Sequence, residues 1–172
     1  MKKIIQFLLC VFAFSFISAQ ENYEVSTLRI GPYKMFMEKA AAEKLAGMKL
    51  IPNDGESKST IKYHGETILI DIYERYINES KPNELSVYGL STKSKKFRTK
   101  GGIGVGSTRD EVINAFKNYS SFSSYPGWND KGEKVKNESR FVLNDDDAGT
   151  VLSFKIVDNI VTEVSVYMNE GC

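Results

Sequence analysis

Apolar and polar side chains alternate most clearly in Thr67-Ile68-Leu69-Ile70-Asp71-Ile72-Tyr73, which places Ile68, Ile70 and Ile72 on one face of a strand that needs a cover. The same period of two runs through Val151 to Ile156, with Leu152, Phe154 and Ile156 together. It also runs through Ile160 to Met168, with Ile160, Thr162, Val164, Val166 and Met168 together. Asp158-Asn159 between those two runs predicts a tight hairpin turn. Phe141 and Leu143 predict a further strand, turned by the segment Asn144 to Gly149.

Helical spacing is confined to two short stretches. Thr108-Arg109-Asp110-Glu111 reads as a capping box, in which the Thr108 hydroxyl and the Glu111 carboxylate each satisfy a first-turn amide. Val112, Ala115, Phe116 and Tyr119 follow as one apolar stripe. The other stretch is Glu38 to Ala46, with Ala41 and Leu45 on one face and Gly47 placed to stop it. Neither helix is long enough to stand alone, so each must lie on a sheet.

These pieces recur in order. Moving Ile30 to Met37 along by seventy residues lands on Lys100 to Ser107, so each glycine-containing extended segment delivers the chain into a helix and then into strands. The expected fold is α+β, with two similar half-domains at 20–92 and 93–172, each a short helical segment on a small antiparallel sheet. The polar stretch Ser91 to Lys96 marks the seam, and pairing of the halves into one continuous sheet is equally compatible with the pattern.

Residues 1–19 join Lys2-Lys3, an apolar run from Ile4 to Ile17 and Ser18-Ala19, the zones of a secretory signal peptide cleaved after Ala19. The apolar run is shorter than a bilayer span requires, so no transmembrane anchor is expected after processing, and the destination is periplasmic or secreted. Cys10 leaves with the leader. Cys172 then remains alone, which excludes an internal disulfide. The chain carries 23 basic and 22 acidic residues, and loss of Lys2 and Lys3 turns the formal charge from +1 to −1. That balance offers no general attraction to nucleic acid.

The segment Gly102-Ile103-Gly104-Val105-Gly106-Ser107-Thr108-Arg109-Asp110-Glu111-Val112, followed by strands and the Asp158-Asn159 turn, resembles the SmpA/OmlA group of outer-membrane assembly lipoproteins and the beta-lactamase-inhibitor-like tandem domains. The resemblance is best over residues 101–168. It implies a glycine turn leading into a helical pair that packs on a small antiparallel sheet, with scaffold, binding or inhibitory roles. The lipidated cysteine of that group has no counterpart here, and in the first half Met37 and Glu38 stand where Ser107 and Thr108 form the cap.

Candidate chemistry is sparse. The glycine-rich run before Thr108 lacks the Lys-Ser/Thr end of a P-loop and the spacing of a dinucleotide fingerprint, so Gly104, Gly106, Thr108 and Glu111 read as a structural turn and cap. His64 falls at an expected hairpin tip between Ile61 and Ile68, and a triad would need Ser57 or Ser59 and Asp71 to converge on it. Asn144-Asp145-Asp146-Asp147 lacks the ligand spacing of a calcium loop. Neither a catalytic nor a metal-binding set stands out, and no cofactor is expected. The surface candidate is the aromatic, serine-rich segment Asn118 to Asn129, read as a loop whose Tyr119, Phe122, Tyr125 and Trp128 form a binding patch anchored by Trp128, or in which Tyr119, Phe122 and Tyr125 form a satellite core. The sheet face around Tyr167 and Glu163 is a second surface. The leading reading is an exported protein-binding or inhibitory module, with a structural component of the cell envelope or a small hydrolase as alternatives.

Overall fold

The computed structural model describes residues 22–52, 58–75 and 83–169. The leader and its cleavage point, with Cys10, Ser57 and Cys172, lie outside them. The described chain begins with three two-residue strands, β1 (Val25–Ser26), β2 (Arg29–Ile30) and β3 (Tyr33–Lys34), and then enters helix α1 (Lys39–Ala46). Strands β4 (Ser59–Tyr63), β5 (Glu66–Arg75) and β6 (Glu84–Thr92) follow, then α2 (Arg109–Phe116). Four more strands complete it: β7 (Phe122–Trp128), β8 (Lys134–Asp145), β9 (Thr150–Val157) and β10 (Ile160–Met168).

Strands β4 to β10 form one antiparallel sheet in the order β4-β5-β6-β10-β9-β8-β7. Two meanders, β4 to β6 and β7 to β10, therefore meet at the β6–β10 pair. The fold is a sheet-rich α+β architecture. Two tight turns make its hairpins possible: His64-Gly65 has φ of 47° and 84°, and Asp158-Asn159 has 50° and 66°. Successive positive φ values give the turn twist that matches paired strands, and Asn, Asp and Gly accept it at low cost.

Ile68, Ile70 and Ile72 are fully buried on the inner face, as the alternation predicts, and so are Leu152, Phe154 and Ile156. They join Val164, Val166, Ile30, Tyr33, Ala42 and Val112 in one cluster, which the helices and the amino-terminal strands cover. Burying an Ile or Phe side chain contributes roughly 1.5–3 kcal/mol. The inner face of the sheet, rather than two eight-residue helices, carries the stability.

Several details differ from expectation. In α1 the buried residue is Ala42, while Ala41 is exposed and Leu45 is 52% exposed, because the helix meets the sheet on the face continued by Ala46 and Leu50. In α2 Val112 and Phe116 face the core but Ala115 does not. In β10 an extra residue, Thr162, sits between the pairs Val161↔Ile156 and Glu163↔Lys155. This bulge moves Val161 inward and leaves Ile160 exposed, so the even-numbered alternation holds only beyond it. β6 continues through Ser91 and Thr92, both buried, so the expected polar seam begins inside the sheet. A single helix stands where the resemblance implies a helical pair.

Each helix starts from a segment docked on the last strand of a meander. The Phe36 amide donates to the Val87 carbonyl (2.8 Å) and the Val87 amide to the Met37 carbonyl (2.9 Å). In the same arrangement the Gly106 amide donates to Val161 and the Val161 amide to Ser107, both at 2.8 Å. The turn residue has φ of 61° at Phe36 and 92° at Gly106. The left-handed conformation is costly for Phe36, and its hydrogen-bonded setting holds it there.

Candidate functional site

The glycine turn is filled from within. The Arg98 guanidinium donates to the carbonyls of Val105 (2.9 Å) and Gly102 (3.3 Å) and to the Ser107 hydroxyl (3.2 Å), while its Nε donates to the Lys95 carbonyl (2.9 Å). Carbonyl oxygens converge on a cation, the reverse of the amide cradle that a phosphate needs. Gly104 is required by space, since a Cβ there would lie 2.4 Å from the Phe97 carbonyl oxygen. Thr108 and Glu111 make both bonds of the capping box: Glu111 N donates to Thr108 Oγ1 (3.2 Å) and Thr108 N to Glu111 Oε2 (2.7 Å). These bonds, led by the Thr108 amide, hold the Glu111 carboxyl below its usual range.

Among the described residues, which do not include Ser57, no triad assembles at His64. The imidazole is exposed on the hairpin and packs edge-on against Tyr63 at 4.4 Å. Ser59 is buried, where its hydroxyl accepts from the Ile51 amide (2.9 Å), and Asp71 pairs with Lys58 (2.8 Å). Asp145 likewise serves the fold. Its carboxylate accepts from the Thr27 hydroxyl (2.7 Å) and the Ala148 amide (3.1 Å), closing the turn before β9.

The aromatic segment is a strand rather than a loop. β7 forms the outer edge of the sheet, pairing with β8 from Phe122↔Leu143 to Pro126↔Ser139, with a bulge before Trp128↔Lys134. Ser123 and Ser124 fit an edge strand because every β7 residue except Gly127 is exposed. Pro126 fits because its missing amide falls on the open side. The register shows why. The Asn144 amide donates to the Ser121 carbonyl (2.9 Å), so bonded pairs recur at Ser123 and Tyr125. Phe122, Ser124 and Pro126 then turn their backbone groups away from β8, and no described strand pairs with them. At the opposite edge, β4 is five residues long and carries Lys62 in its middle portion with Lys58 just before it. Such lysines discourage strand addition.

The candidate side chains distribute around this edge. Tyr119 packs half-buried against the core, and burial first, then Asp145 and Asp146, raise its phenol. Phe122 is 46% exposed on the inner face and stacks on Phe141 with ring centres 5.5 Å apart. Trp128 is 53% exposed, with the Lys134 ammonium 5.6 Å from its ring. Tyr125 lies on the outer face, where its phenol meets that of Tyr167. Burial first and Tyr125 second push the Tyr167 phenol up to about 12, outweighing Arg140 and Ser153. The Ser153 hydroxyl is buried there without a hydrogen-bond partner. The sheet thus separates the predicted residues into a core-side pair, an outer-face pair and Trp128 at the strand end.

The outer face around Glu163 was expected as a surface, whereas the cleft on the inner side was not. Ser123, Val142, Ser153, Ser165 and Ser91 form one row across the outer face, with Val142, Ser153 and Ser91 buried in it, beside a charged row containing Arg140, Lys155, Glu163 and Lys93. On the inner side a cleft of about 510 Å³ opens between the start of α2 and β7. Arg109 lines it with Ser124, Pro126, Asn137, Ser139 and Asn159, and Ile156 and Asp158 are also in its wall. Arg109 was legible only as part of the capping sequence, because the cleft depends on how far β7 lies from the helix. The chain matches no family model, no curated protein and no solved structure. Among the described residues, no helix is long and apolar enough to cross a membrane.

Proposed function

We propose that this protein is an exported protein-binding or inhibitory module that acts by contact through the β7 edge of its sheet. One observation carries the reading: a seven-residue edge strand offers unpaired backbone groups at Phe122 and Ser124 and is flanked by exposed Phe122, Tyr125 and Trp128. An open edge supplies hydrogen bonds to an incoming strand, and adjacent aromatics supply anchoring area. The leader at 1–19 supports export to the periplasm or beyond.

Within the same reading, the molecule consists of two similar helix-on-sheet halves, in keeping with the resemblance to tandem inhibitor-like domains. Support comes from spacing and register. α1 and α2 have equal length and start seventy residues apart, at Lys39 and Arg109. β6 and β10 each carry a one-residue bulge against the preceding strand, at Tyr88 and Thr162, next to the valine that docks the pre-helix segment. Ser91 pairs with Ser165, flanked by Thr92↔Val164 and Leu90↔Val166, the register that a two-fold axis through this pair requires.

The test uses the exported chain as bait for the envelope fraction, beside its Trp128→Ala and Ser124→Pro variants. Wild type is expected to retain a partner that Trp128→Ala holds about thirtyfold more weakly, the loss of a buried interface anchor. Ser124→Pro, which removes an outward amide and leaves the β8 ladder intact, is expected to lose it. Retention by both variants at unchanged urea midpoints rules out the edge as the contact.

A further inference from the structure

Arg109 is half-buried, lines the cleft beside β7, and has no ion pair or hydrogen bond from its side chain among the described residues. Most arginines held against a protein surface find a carboxylate or carbonyl, as Arg98 does in the neighbouring turn. The groups around Arg109 are largely donors or amphoteric: the hydroxyls of Ser124 and Ser139 and the carboxamides of Asn137 and Asn159. Glu138 also lines the cleft but is held by Lys155 at 2.9 Å, and Asp158 sits on the hairpin at its rim. With Glu138 paired to Lys155 and Asp158 exposed on the hairpin, the Arg109 guanidinium is the group in this lining left to receive an acidic, hydrogen-bonding guest.

The cleft and the open edge are one surface. Ser124 and Pro126 belong to both, and their side chains lie on the inner face because they stand opposite Phe141 and Ser139. In a strand added to β7, the residue directly opposite Ser124 shares that face and points to the α2 side. We propose that β7 accepts an extended peptide segment carrying an acidic side chain opposite Ser124, and that the carboxylate is received by Arg109 in the cleft. This rests on the reading of β7 as the contact edge and adds the chemistry of what binds there. Apolar residues two positions to either side of the acid fall on the same face, one of them beside the exposed ring of Phe122. Pro126 lacks an outward amide and the bulge after it turns the strand, so the template is short and the match is made over Phe122 to Pro126.

The probes are labelled peptides blocked at both ends, Thr-Val-Thr-Glu-Thr-Val-Thr and the same sequence with Gln or Lys in place of Glu, titrated by fluorescence anisotropy against the exported chain. The Glu peptide is expected to bind about tenfold more tightly than the Gln peptide, the worth of one charge-assisted hydrogen bond, and the Lys peptide most weakly. Arg109→Gln should bring the Glu peptide down to the Gln level, and Ser124→Pro should abolish binding of all three at an unchanged urea midpoint. Equal binding of Glu and Gln peptides, a preference that survives in Arg109→Gln, or no binding to wild type overturns the proposal. If those failures occur while Ser124→Pro still loses the envelope partner, the edge reading stands alone; if Ser124→Pro binds peptides and partner like wild type, both fall. A Gln peptide with a free terminal carboxylate that equals the blocked Glu peptide would assign the subsite to a chain end and overturn the side-chain assignment.

Discussion

Thr108 shows how much one hydroxyl can do at the entrance to a short helix. It accepts the Glu111 amide, and Glu111 returns the bond to the Thr108 amide. Thr108→Ala is expected to destabilise the protein by about 1 kcal/mol, and Thr108→Ser by much less, since the serine hydroxyl keeps the acceptor. Urea unfolding of the two variants checks this. Tyr167 makes a prediction in alkaline solution. Its folded value of about 12 exceeds the ordinary tyrosine value of 10.0, so above pH 10 the unfolded chain loses this proton first. Stability linked to Tyr167 is therefore complete below pH 10 and is lost as the pH rises towards 12. Tyr167→Phe should flatten that alkaline fall in the urea midpoint while leaving the neutral range of its profile level; an unchanged slope would mean that the phenol is solvated.

At the scale of elements, what could be read from the chain was whatever a local rule dictates. Ile68, Ile70 and Ile72 declare β5 because their neighbours are polar or exposed enough to leave one apolar face. The turn at Asp158-Asn159 and the stop at Gly47, whose φ is 66°, follow from which residues tolerate left-handed backbone. Thr162 escaped because a bulge is specified by two strands together: nothing in β10 alone says that Val161 and Glu163 will face consecutive residues of β9. β7 was missed for a related reason. Its serines, Pro126 and Gly127 look like loop chemistry until β8 supplies a partner, and the Glu138 side chain then occupies the space that a Cβ at Gly127 would take, 2.4 Å away. The candidate aromatics were legible as residues, but their division between two sheet faces was not, since it depends on the register with β8. Arg109 became a site residue only through the distance between α2 and the sheet edge.

For the whole molecule, the two meanders depend on each other at a single pairing. Deprived of β6, the segment 93–172 exposes β10 as a second open edge. Because β10 pairs antiparallel with β6 about the Ser165↔Ser91 pair, its freed edge should pair with another copy of itself. The isolated segment is expected to sediment as a dimer or to aggregate, and a folded monomer would show that β6 contributes nothing essential. Within the intact chain, all other neighbours in the seven-stranded sheet are also neighbours in sequence. Hairpins of that kind close over short stretches, whereas joining β10 to β6 brings together residues 72 to 78 positions apart and is the one pairing in the sheet between strands distant in sequence. The entropy of that closure is met before its contacts form. Folding speed is accordingly expected to follow the central pair of strands, and the β7 edge, whose ladder is with β8 alone, to vary in sequence with little effect on how fast the chain reaches its native state.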